Sequence, residues 1–323
     1  MSENNLRLIK YYESPGYNPY LNLAMEEKLM ETYESGTLVF YLWQNKDTVV
    51  IGKNQCASDE CNLSLMNEDN IKLARRSSGG GSVYHDMGNL NFTFITGAEY
   101  FDNKKQLDVV IEALNSFGIE CYFSGRNDLY IDGFKISGQA FLKKRGKVLH
   151  HGTLLFDVNI EDLGKYLKTD SEKLKTHGVQ SHIQRVKNIK DFNSNLSIEK
   201  IKKALKKSII KTYDLPLVEC NLPRADESKY SSEEWLYRIN IDGLRLKRRF
   251  NYGLIDINLE LKNNIIVSLV INSDVMDTSI IDEIKEQLIN RAFDASLIDS
   301  FRLSNERIAS DLRVLIGENL CMT

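Results

Sequence analysis

The sequence has no long hydrophobic run, no paired cysteines and no excess of positive charge. No apolar stretch approaches the roughly 20 residues that a membrane-spanning helix needs, and the N-terminus has no apolar signal region, so we expect a cytoplasmic protein without a membrane partner. The five cysteines are odd in number and none has Cys-x-x-Cys spacing, which indicates neither a disulfide framework nor a zinc knuckle. A net charge of −3 argues against nucleic acid as the main partner, because polyanion binding usually requires a strongly basic surface.

The length and composition suit a large domain followed by a smaller one. The chain has 323 residues, of which 42% are hydrophobic, and this is ample for two cores. Segments with helical periodicity alternate with β-rich segments, so the predicted fold class is α+β, with helices and strands mixed along the chain. A polar stretch at 214–232 is predicted to link a large domain of residues 1–213 to a small accessory domain of residues 233–323.

Periodicity also predicts the individual elements of both domains. Those of the large domain include helices at 21–32, 59–69 and 104–117, strands at 37–43 and 48–52, and a helix that begins after Ser197. Those of the small domain are strands at 235–240, 244–250, 253–261 and 264–271, then helices near 278–293 and 305–315. The small domain is therefore expected to be a strand meander followed by helices.

A glycine-rich segment, residues 75–86, combines two arginines, three consecutive glycines and a His-Asp pair in the order Arg-Arg-Ser-Ser-Gly-Gly-Gly-Ser-Val-Tyr-His-Asp. Consecutive glycines are retained where the backbone takes positive φ or approaches a ligand closely, and their N–H groups are free to bind an oxyanion. A plain flexible turn is the alternative, because the run matches neither common phosphate-binding signature. Arg75 and Arg76 favour an anion, since guanidinium groups suit phosphate or carboxylate. We interpret the segment as an anion-binding loop between strands.

Two further segments carry residues of possible chemical importance. Lys135 lies on a predicted strand beside small residues, a position in which lysine is usually only solvated. His150 and His151 also lie on a predicted strand and should point to opposite faces of the sheet, so we do not expect a zinc site there. A lysine-rich helix face between 200 and 211 is typical of a solvated surface and could also contact an acidic protein partner.

Four motifs occur in a recognisable order: the glycine-rich segment, Gly-Arg-Asn-Asp at 125–128, Lys-Ile-Ser-Gly at 135–138 and His-His-Gly-Thr-Leu-Leu at 150–155. Asn-Leu-Ala-Met-Glu-Glu at 22–27 and Trp43 accompany them. In these motifs the chain resembles lipoate–protein ligases, and the resemblance extends over nearly its whole length. It implies a large domain with a mixed sheet of the biotin and lipoate ligase type, plus a small C-terminal domain.

The resemblance implies a two-step reaction. Lipoate and Mg-ATP give lipoyl-AMP and pyrophosphate, and the lipoyl group then passes to a lysine of a lipoyl domain. The implied acceptors are E2 subunits of 2-oxoacid dehydrogenases and the H protein of glycine cleavage, and the enzyme is expected to be a monomer.

The resemblance also assigns residues to these ligands. Lys135 matches the catalytic lysine that touches both the lipoate carboxylate and the phosphate, while Trp43, Arg76, His85 and Lys135 are implied to bind lipoate. Asp128, with Asn127 beside it, is implied to bind Mg²⁺. The positions implied to contact the nucleotide are Arg76, Ser78, Gly79, Gly80, Gly81, Ser82, Val83, Tyr84, His85, Asn127, Asp128, Lys135, Gly138, His151 and Gly152. Ser82 and Cys56 depart from the alanine and the polar residue expected there.

The chemistry of the residues agrees with this reading. Attack of a carboxylate on a phosphate joins two anions, and a lysine between them stabilises the transition state. An ATP-independent acyl transferase would need a thiolate in the pocket, yet 150–155 contains no cysteine and Cys121 precedes its motif. Biotin ligases use a Gly-Arg-Gly-Arg-type loop that is absent here. A non-catalytic lipoate- or nucleotide-binding protein remains the alternative of a different class.

Overall fold

The computed structural model describes residues 6–123, 128–168, 186–237 and 241–320. The strands of the large domain are β1 (Leu8–Glu13), β2 (Thr37–Trp43), β3 (Thr48–Ile51), β4 (Lys72–Arg75), β5 (Val83–His85), β6 (Asn89–Gly97), β7 (Cys121–Phe123), β8 (Asp128–Ile131), β9 (Phe134–Lys144), β10 (Lys147–Leu155) and β11 (Leu217–Glu219). Its helices are α1 (Pro19–Glu31), α2 (Ala57–Glu60), α3 (Leu63–Glu68), α4 (Asn103–Asn115), α5 (Ile160–Tyr166), α6 (Ile198–Tyr213), α7 (Ser228–Ser231) and α8 (Glu233–Leu236).

An eight-stranded mixed sheet forms the centre of the large domain, in the order β11-β1-β2-β6-β10-β9-β8-β7. β1 is parallel to both of its neighbours, whereas β2, β6, β10 and β9 pair antiparallel. Every residue of β2 and β6 is buried, because helices cover both faces of the sheet. The predicted mixed α+β fold is confirmed.

The two cores of the large domain come from the alternation of side chains along these strands. One face, with Phe40 of β2 and Phe92 of β6, packs against the apolar stripes of α4 and α6. The opposite face, with Tyr41 and Trp43, packs against α1. The predicted start of α6 is confirmed, because the Ser197 side chain accepts a hydrogen bond from the Lys200 N–H and caps the helix.

A second, three-stranded sheet in the order β4-β3-β5 carries the glycine-rich loop between β4 and β5. β2 and β3 therefore belong to different sheets, although they are close in sequence. The chain turns between them at Asp47, which has a positive φ of 42°. This arrangement places the loop beside the face of the large sheet that presents Trp43.

The small domain contains a three-stranded antiparallel meander and three helices within its described residues. The strands are β12 (Leu244–Phe250), β13 (Gly253–Lys262) and β14 (Ile265–Ser273), and the helices are α9 (Thr278–Leu288), α10 (Ala295–Ser300) and α11 (Glu306–Leu320). A separate core of buried aliphatic and aromatic side chains joins the sheet to the helices. A meander followed by helices is present, but it has three of the four predicted strands.

Some local predictions differ from the structure. The single helix predicted at 59–69 is divided into α2 and α3, because Cys61 between them forms a β-bridge with Leu167. The strand predicted at 235–240 begins instead as α8, whose N-terminus is capped by the Ser232 side chain. The segment predicted as a linker contributes β11 to the edge of the large sheet and α7 against α1. Within the described ranges, no helix is long and apolar enough to span a membrane.

Candidate active site

A cavity of about 310 Å³ lies where the glycine-rich loop, β9, β10 and the small domain meet. The sequence-predicted site residues that line it are Trp43, Arg76, Gly80, Gly81, Ser82, Val83, His85, Asp128, Lys135, Gly138, His151 and Gly152. Ser78 faces a neighbouring cavity of about 330 Å³, Gly79 lies against the small domain, and Tyr84 packs on Tyr166 instead. Asn127 lies outside the described residues. Four segments that are distant in sequence therefore share one cavity.

Lys135 forms an ion pair with Asp128 at the mouth of this cavity. The lysine amine Nζ is 2.7 Å from Asp128 Oδ1, and about a quarter to a third of each side chain is exposed. Gly138 adjoins the amine, and a Cβ at that position would make only an ordinary contact, at 3.4 Å, with Lys135 Nζ. The pair is accessible enough for an arriving anion to compete with the carboxylate for the ammonium group.

Arg76 holds the glycine-rich loop in its conformation. Its guanidinium donates hydrogen bonds to the carbonyl oxygens of Gly79, at 2.6 Å, and of Gly81, at 2.7 Å, and to Ser78 Oγ, at 3.0 Å. Burial lowers the pKa of Arg76 to about 10, so the group still carries its charge at neutral pH. The cation therefore supports the loop from within and contributes positive potential to the cavity.

Arg75 differs from its neighbour because backbone carbonyls surround its guanidinium. The completely buried side chain donates to Gln55 O at 2.6 Å and to the carbonyls of Trp235 and Leu236 at 2.7 Å each. The expectation that both arginines face an anion is therefore wrong for Arg75. It joins α8 to the end of β3.

The consecutive glycines allow the small domain to approach the loop closely. A Cβ at Gly79 would lie 2.3 Å from the carbonyl oxygen of Val275, and one at Gly80 would lie 2.7 Å from the sulfur of Met276. Gly80 has a φ of 86°, and its N–H donates to Val275 O at 3.3 Å. In this conformation the small domain therefore occupies one of the N–H groups that the sequence predicted to face an anion.

Glu26 and Thr93, which sequence reasoning did not select, join the predicted residues into one buried network. Trp43 Nε1 donates to Thr93 Oγ1 at 2.9 Å, and Thr93 donates to Glu26 Oε1 at 2.5 Å. His151 Nδ1 donates to the same carboxylate oxygen at 2.9 Å, and its Nε2 is 2.7 Å from Ser78 Oγ. The signal in the sequence was an acidic residue on the apolar side of a predicted helix, which needs buried partners.

The two adjacent histidines of β10 point to opposite faces, as predicted. His151 lies in the network beside the cavity, whereas His150 is enclosed by Phe92, Phe94 and Phe141, with the Phe141 ring stacked at 4.5 Å. Burial lowers the pKa of His150 to about 3. His150 therefore belongs to the core and stays neutral.

His85 is a neutral, buried imidazole in the wall of the cavity. Only 2% of its surface is exposed, and burial together with the nearby Arg76 charge lowers its pKa to about 3. Its Nδ1 is 3.1 Å from Asn45 Nδ2, and its ring meets the Trp43 ring edge-on at 6.2 Å. The side chain therefore contributes a neutral ring to the cavity wall.

The cysteines of the described ranges do not line this cavity. Cys121 lies in the core under α4, where burial raises the pKa of its thiol to about 12. Cys56 and Cys61 are also buried, and Cys220 is half-buried. A thiolate nucleophile of the kind that an ATP-independent transferase needs is therefore not provided by these residues.

Comparisons with known proteins identify lipoate protein ligase domains in both parts of the chain. The family model described as lipoyl protein ligase A/B catalytic domain matches residues 18–210, and the one described as bacterial lipoate protein ligase C-terminus matches residues 243–308. Lipoate-protein ligase A of Psychrobacter cryohalolentis is 35% identical over 305 residues, which cover 90% of this chain and 89% of that protein.

Three solved structures are similar in fold and in sequence. Plasmodium falciparum LipL1 in complex with lipoate has a TM-score of 0.82 and 26% identity, covering 96% of this chain and 99% of that one. A bipartite lipoate protein ligase from Thermoplasma acidophilum, studied with its E2 lipoyl domain, has a TM-score of 0.63 and 30% identity, covering 72% and 96%. Lipoate-protein ligase A bound with ATP has a TM-score of 0.61 and 27% identity, covering 72% and 98%.

Proposed function

Because the chain belongs to the lipoyl protein ligase A/B family and is a lipoate–protein ligase, we propose that it activates lipoate with ATP and transfers the lipoyl group to a lysine of a lipoyl domain. The observation that carries this proposal is the single cavity shared by an accessible lysine, an arginine-supported glycine loop and an aromatic wall. Such a cavity suits an acid with an apolar tail and the phosphate of a nucleotide at the same time. The relatives with bound lipoate and bound ATP support both ligands.

In the first step, a carboxylate oxygen of lipoate attacks the α-phosphorus of ATP. The new O–P bond forms as the bond to the bridging oxygen breaks, and pyrophosphate leaves. Lys135 exchanges Asp128 for the two approaching anions, and its ammonium group offsets their repulsion in the transition state. Trp43 forms the apolar wall for the dithiolane and the aliphatic chain.

In the second step, the neutral amine of the acceptor lysine attacks the carbonyl carbon of lipoyl-AMP. An amide bond forms, the bond from the carbonyl carbon to the phosphate oxygen breaks, AMP leaves and the amine proton passes to solvent. Lys135 now stabilises the charge that develops on the phosphate of the leaving AMP. The acceptors we propose are E2 subunits and the glycine cleavage H protein, and the bipartite relative studied with its E2 lipoyl domain supports the first of them.

Asp128 is the residue we propose for Mg²⁺. This ion prefers oxygen ligands and, in nucleotide sites, uses one or two carboxylates together with phosphate oxygens. Asp128 supplies one partly exposed carboxylate beside Lys135, which fits an ion that arrives with ATP. The described ranges contain no cluster of three or more His, Cys, Asp or Glu side chains able to hold a metal ion without a nucleotide.

The hydrogen bond from Gly80 N–H to Val275 O bears on whether the small domain must move before the nucleotide binds. If the Gly80 N–H is to bind a phosphate oxygen, the Val275–Met276 segment must first withdraw. We therefore propose that the small domain moves during the catalytic cycle. A cytoplasmic location and a monomeric state remain predictions of the sequence.

The test is an incubation of purified protein with lipoate, Mg-ATP and an unmodified lipoyl domain, with a parallel reaction lacking ATP. Pyrophosphate release and the mass of the acceptor are followed. We expect pyrophosphate before acceptor is added, and an acceptor mass gain only with ATP. Acceptor modification without ATP, from an acylated donor protein, would support the thiol-dependent transferase instead.

A further inference from the structure

The buried ring of His85 has one nitrogen with no partner. Nε2 makes no hydrogen bond within the described part of the chain, although the residue is 98% buried and lines the cavity. A buried polar atom without a partner costs free energy, so such an atom in a cavity wall points to a ligand. Whether it donates or accepts depends on which ring nitrogen carries the proton.

The proton can be assigned from the side chains behind the ring, starting at Asn22 of α1. Asn22 Nδ2 lies 2.8 Å from the backbone carbonyl oxygen of Gln44, which can only accept a hydrogen bond. The other amide atom, Oδ1, accepts from the hydroxyls of Ser14, at 2.6 Å, and Tyr41, at 3.1 Å. The orientation of the Asn22 amide is therefore fixed by a backbone atom.

This orientation passes to Asn45 and then to His85. Asn22 Nδ2 also donates to Asn45 Oδ1 at 3.0 Å, so the remaining atom of the Asn45 amide is the donor Nδ2. That donor faces His85 Nδ1 at 3.1 Å, and this nitrogen must present its lone pair. In a neutral imidazole the proton then resides on Nε2, the buried nitrogen that has no partner within the described part of the chain. All three side chains are buried, which excludes competing water.

We propose that Asn22 and Asn45 are positioning residues that hold His85 as the neutral Nε2–H tautomer, so that His85 donates one hydrogen bond to a carboxylate oxygen of the acid substrate. The identity of the substrate rests on the proposed function, whereas the tautomer rests on the hydrogen bonds alone. The opposite tautomer would present a lone pair to the carboxylate and repel it. Substrate binding then depends on the Asn22 amide, which does not touch the substrate but acts on it through Asn45 and His85.

The sharpest variant is Asn22→Asp, which changes no atom of His85 or Asn45. The Gln44 carbonyl only accepts, so the buried acid at position 22 keeps its proton and donates it to that carbonyl. Towards Asn45 the acid then only accepts, so the Asn45 amide turns to donate to it and presents Oδ1 to the ring. Nδ1 must then carry the proton, and the donor in the cavity is lost. Asn45→Asp places an acceptor directly at Nδ1 and is the second variant if the first does not fold. Asn67→Asp, on the exposed side of α3, is the matched control.

Two readouts separate the parts of the proposal. Nitrogen-15 NMR of histidine-labelled protein, without ligand, should report the Nε2–H tautomer of His85 in the unmodified protein and the Nδ1–H form in Asn22→Asp. Calorimetry with lipoate and no ATP should show Kd rising about 10- to 100-fold in the same variant, with an unchanged value for the control. The KM for lipoate should rise in parallel, with kcat and the KM for ATP within about twofold.

Combination with His85→Gln provides a further control, because glutamine has no tautomers. Its amide donates irrespective of position 45, so adding Asn45→Asp should no longer change lipoate affinity. An Nδ1–H tautomer in the unmodified protein would overturn the proposal. A tautomer switch with unchanged lipoate affinity would overturn the donor role of His85. Failure of the unmodified protein to bind lipoate would instead contradict the proposed function and leave the tautomer assignment standing.

Discussion

At the scale of single residues, the described part of the site combines an accessible cation, Lys135, with buried groups whose charge does not change near neutral pH. Lys135 is paired with a carboxylate that an arriving anion can replace, whereas Arg76 is held by the loop that it supports. The neutral His85 adds a donor without adding charge. Among the described residues of the site, Lys135 is thus the cation that can change its partner when substrate arrives, and the buried groups define its surroundings.

Replacing Lys135 tests whether its charge is needed for the first step of the reaction. In Lys135→Ala the two anions meet without a counter-charge, so we expect the rate of pyrophosphate release to fall at least about 100-fold. Lys143→Ala, an exposed lysine on the same strand, is the matched control and should keep the original rate. Single-turnover measurements with saturating lipoate and ATP separate this effect from weaker binding. An unchanged rate in Lys135→Ala would remove the lysine from the reaction.

Two buried histidines make folding stability depend on pH. The pKa values of His85 and His150 are lowered to about 3 in the folded state, whereas the unfolded chain binds these protons below a pKa of about 6.5. Because the unfolded state binds more protons between these limits, stability is complete above pH 6.5 and decreases as the pH falls towards 3. At pH 5 each histidine lowers the free energy of unfolding by about 2 kcal/mol relative to neutral pH.

The measurement is the free energy of unfolding at pH 7 and at pH 5. His150→Phe removes one of the two groups and keeps the stacking on Phe141. It also leaves Gln106 Oε1, 2.8 Å from His150 Nδ1, without this partner, a cost that is the same at both pH values. We expect the decrease between the two pH values to be smaller by about 2 kcal/mol in this variant. An equal decrease in both proteins would mean that His150 binds its proton over the same pH range in the folded and the unfolded state, so that its pKa is not lowered by burial.

At the scale of elements, close packing explains a glycine that the sequence associated only with ligand approach. A Cβ at position 152 would lie 2.4 Å from the Phe92 ring. Gly152→Ala should therefore lower the free energy of unfolding by about 1–3 kcal/mol through overpacking. Gly16→Ala, where no atom lies within 4 Å of the added Cβ, is the control and should be close to neutral. In the double variant Gly152→Ala with Phe92→Leu, part of the lost free energy of unfolding should be recovered. No recovery would mean that the contact with Phe92 is not the source of the strain.

Most elements could be predicted from the sequence because their signals are local. The apolar stripe and the serine cap of α6 lie within one segment, and so do the alternating strands of the small domain. The residues that were missed depend on partners far away in sequence. Glu26 meets His151 only after α1 packs on the sheet, and Arg75 meets Trp235 only after α8 returns to β4. Periodicity within one window carries no information about such pairs.

At the scale of the whole molecule, the small domain rests directly on the glycine-rich loop. Besides the Gly80 to Val275 hydrogen bond, Ser273 N donates to Asn54 O at 2.6 Å, and Lys53 pairs with Asp282 at 3.2 Å. Met276 extends from this interface into the cavity. The sequence predicted the two domains but not this contact, because neither segment carries a signal for the other.

If the contact between the small domain and the glycine-rich loop competes with nucleotide binding, weakening this contact should increase the affinity for ATP. Met276→Ala removes a half-buried side chain that packs on Gly80. We expect the contact between the small domain and the glycine-rich loop to lose about 1 kcal/mol, and the KM for ATP to fall about two- to fivefold as a result. Met87→Ala, an exposed methionine outside the cavity, is the matched control. The KM is obtained from initial rates of pyrophosphate release at saturating lipoate. A KM for ATP that stays constant or rises would mean that the loop accepts the nucleotide with the small domain in place.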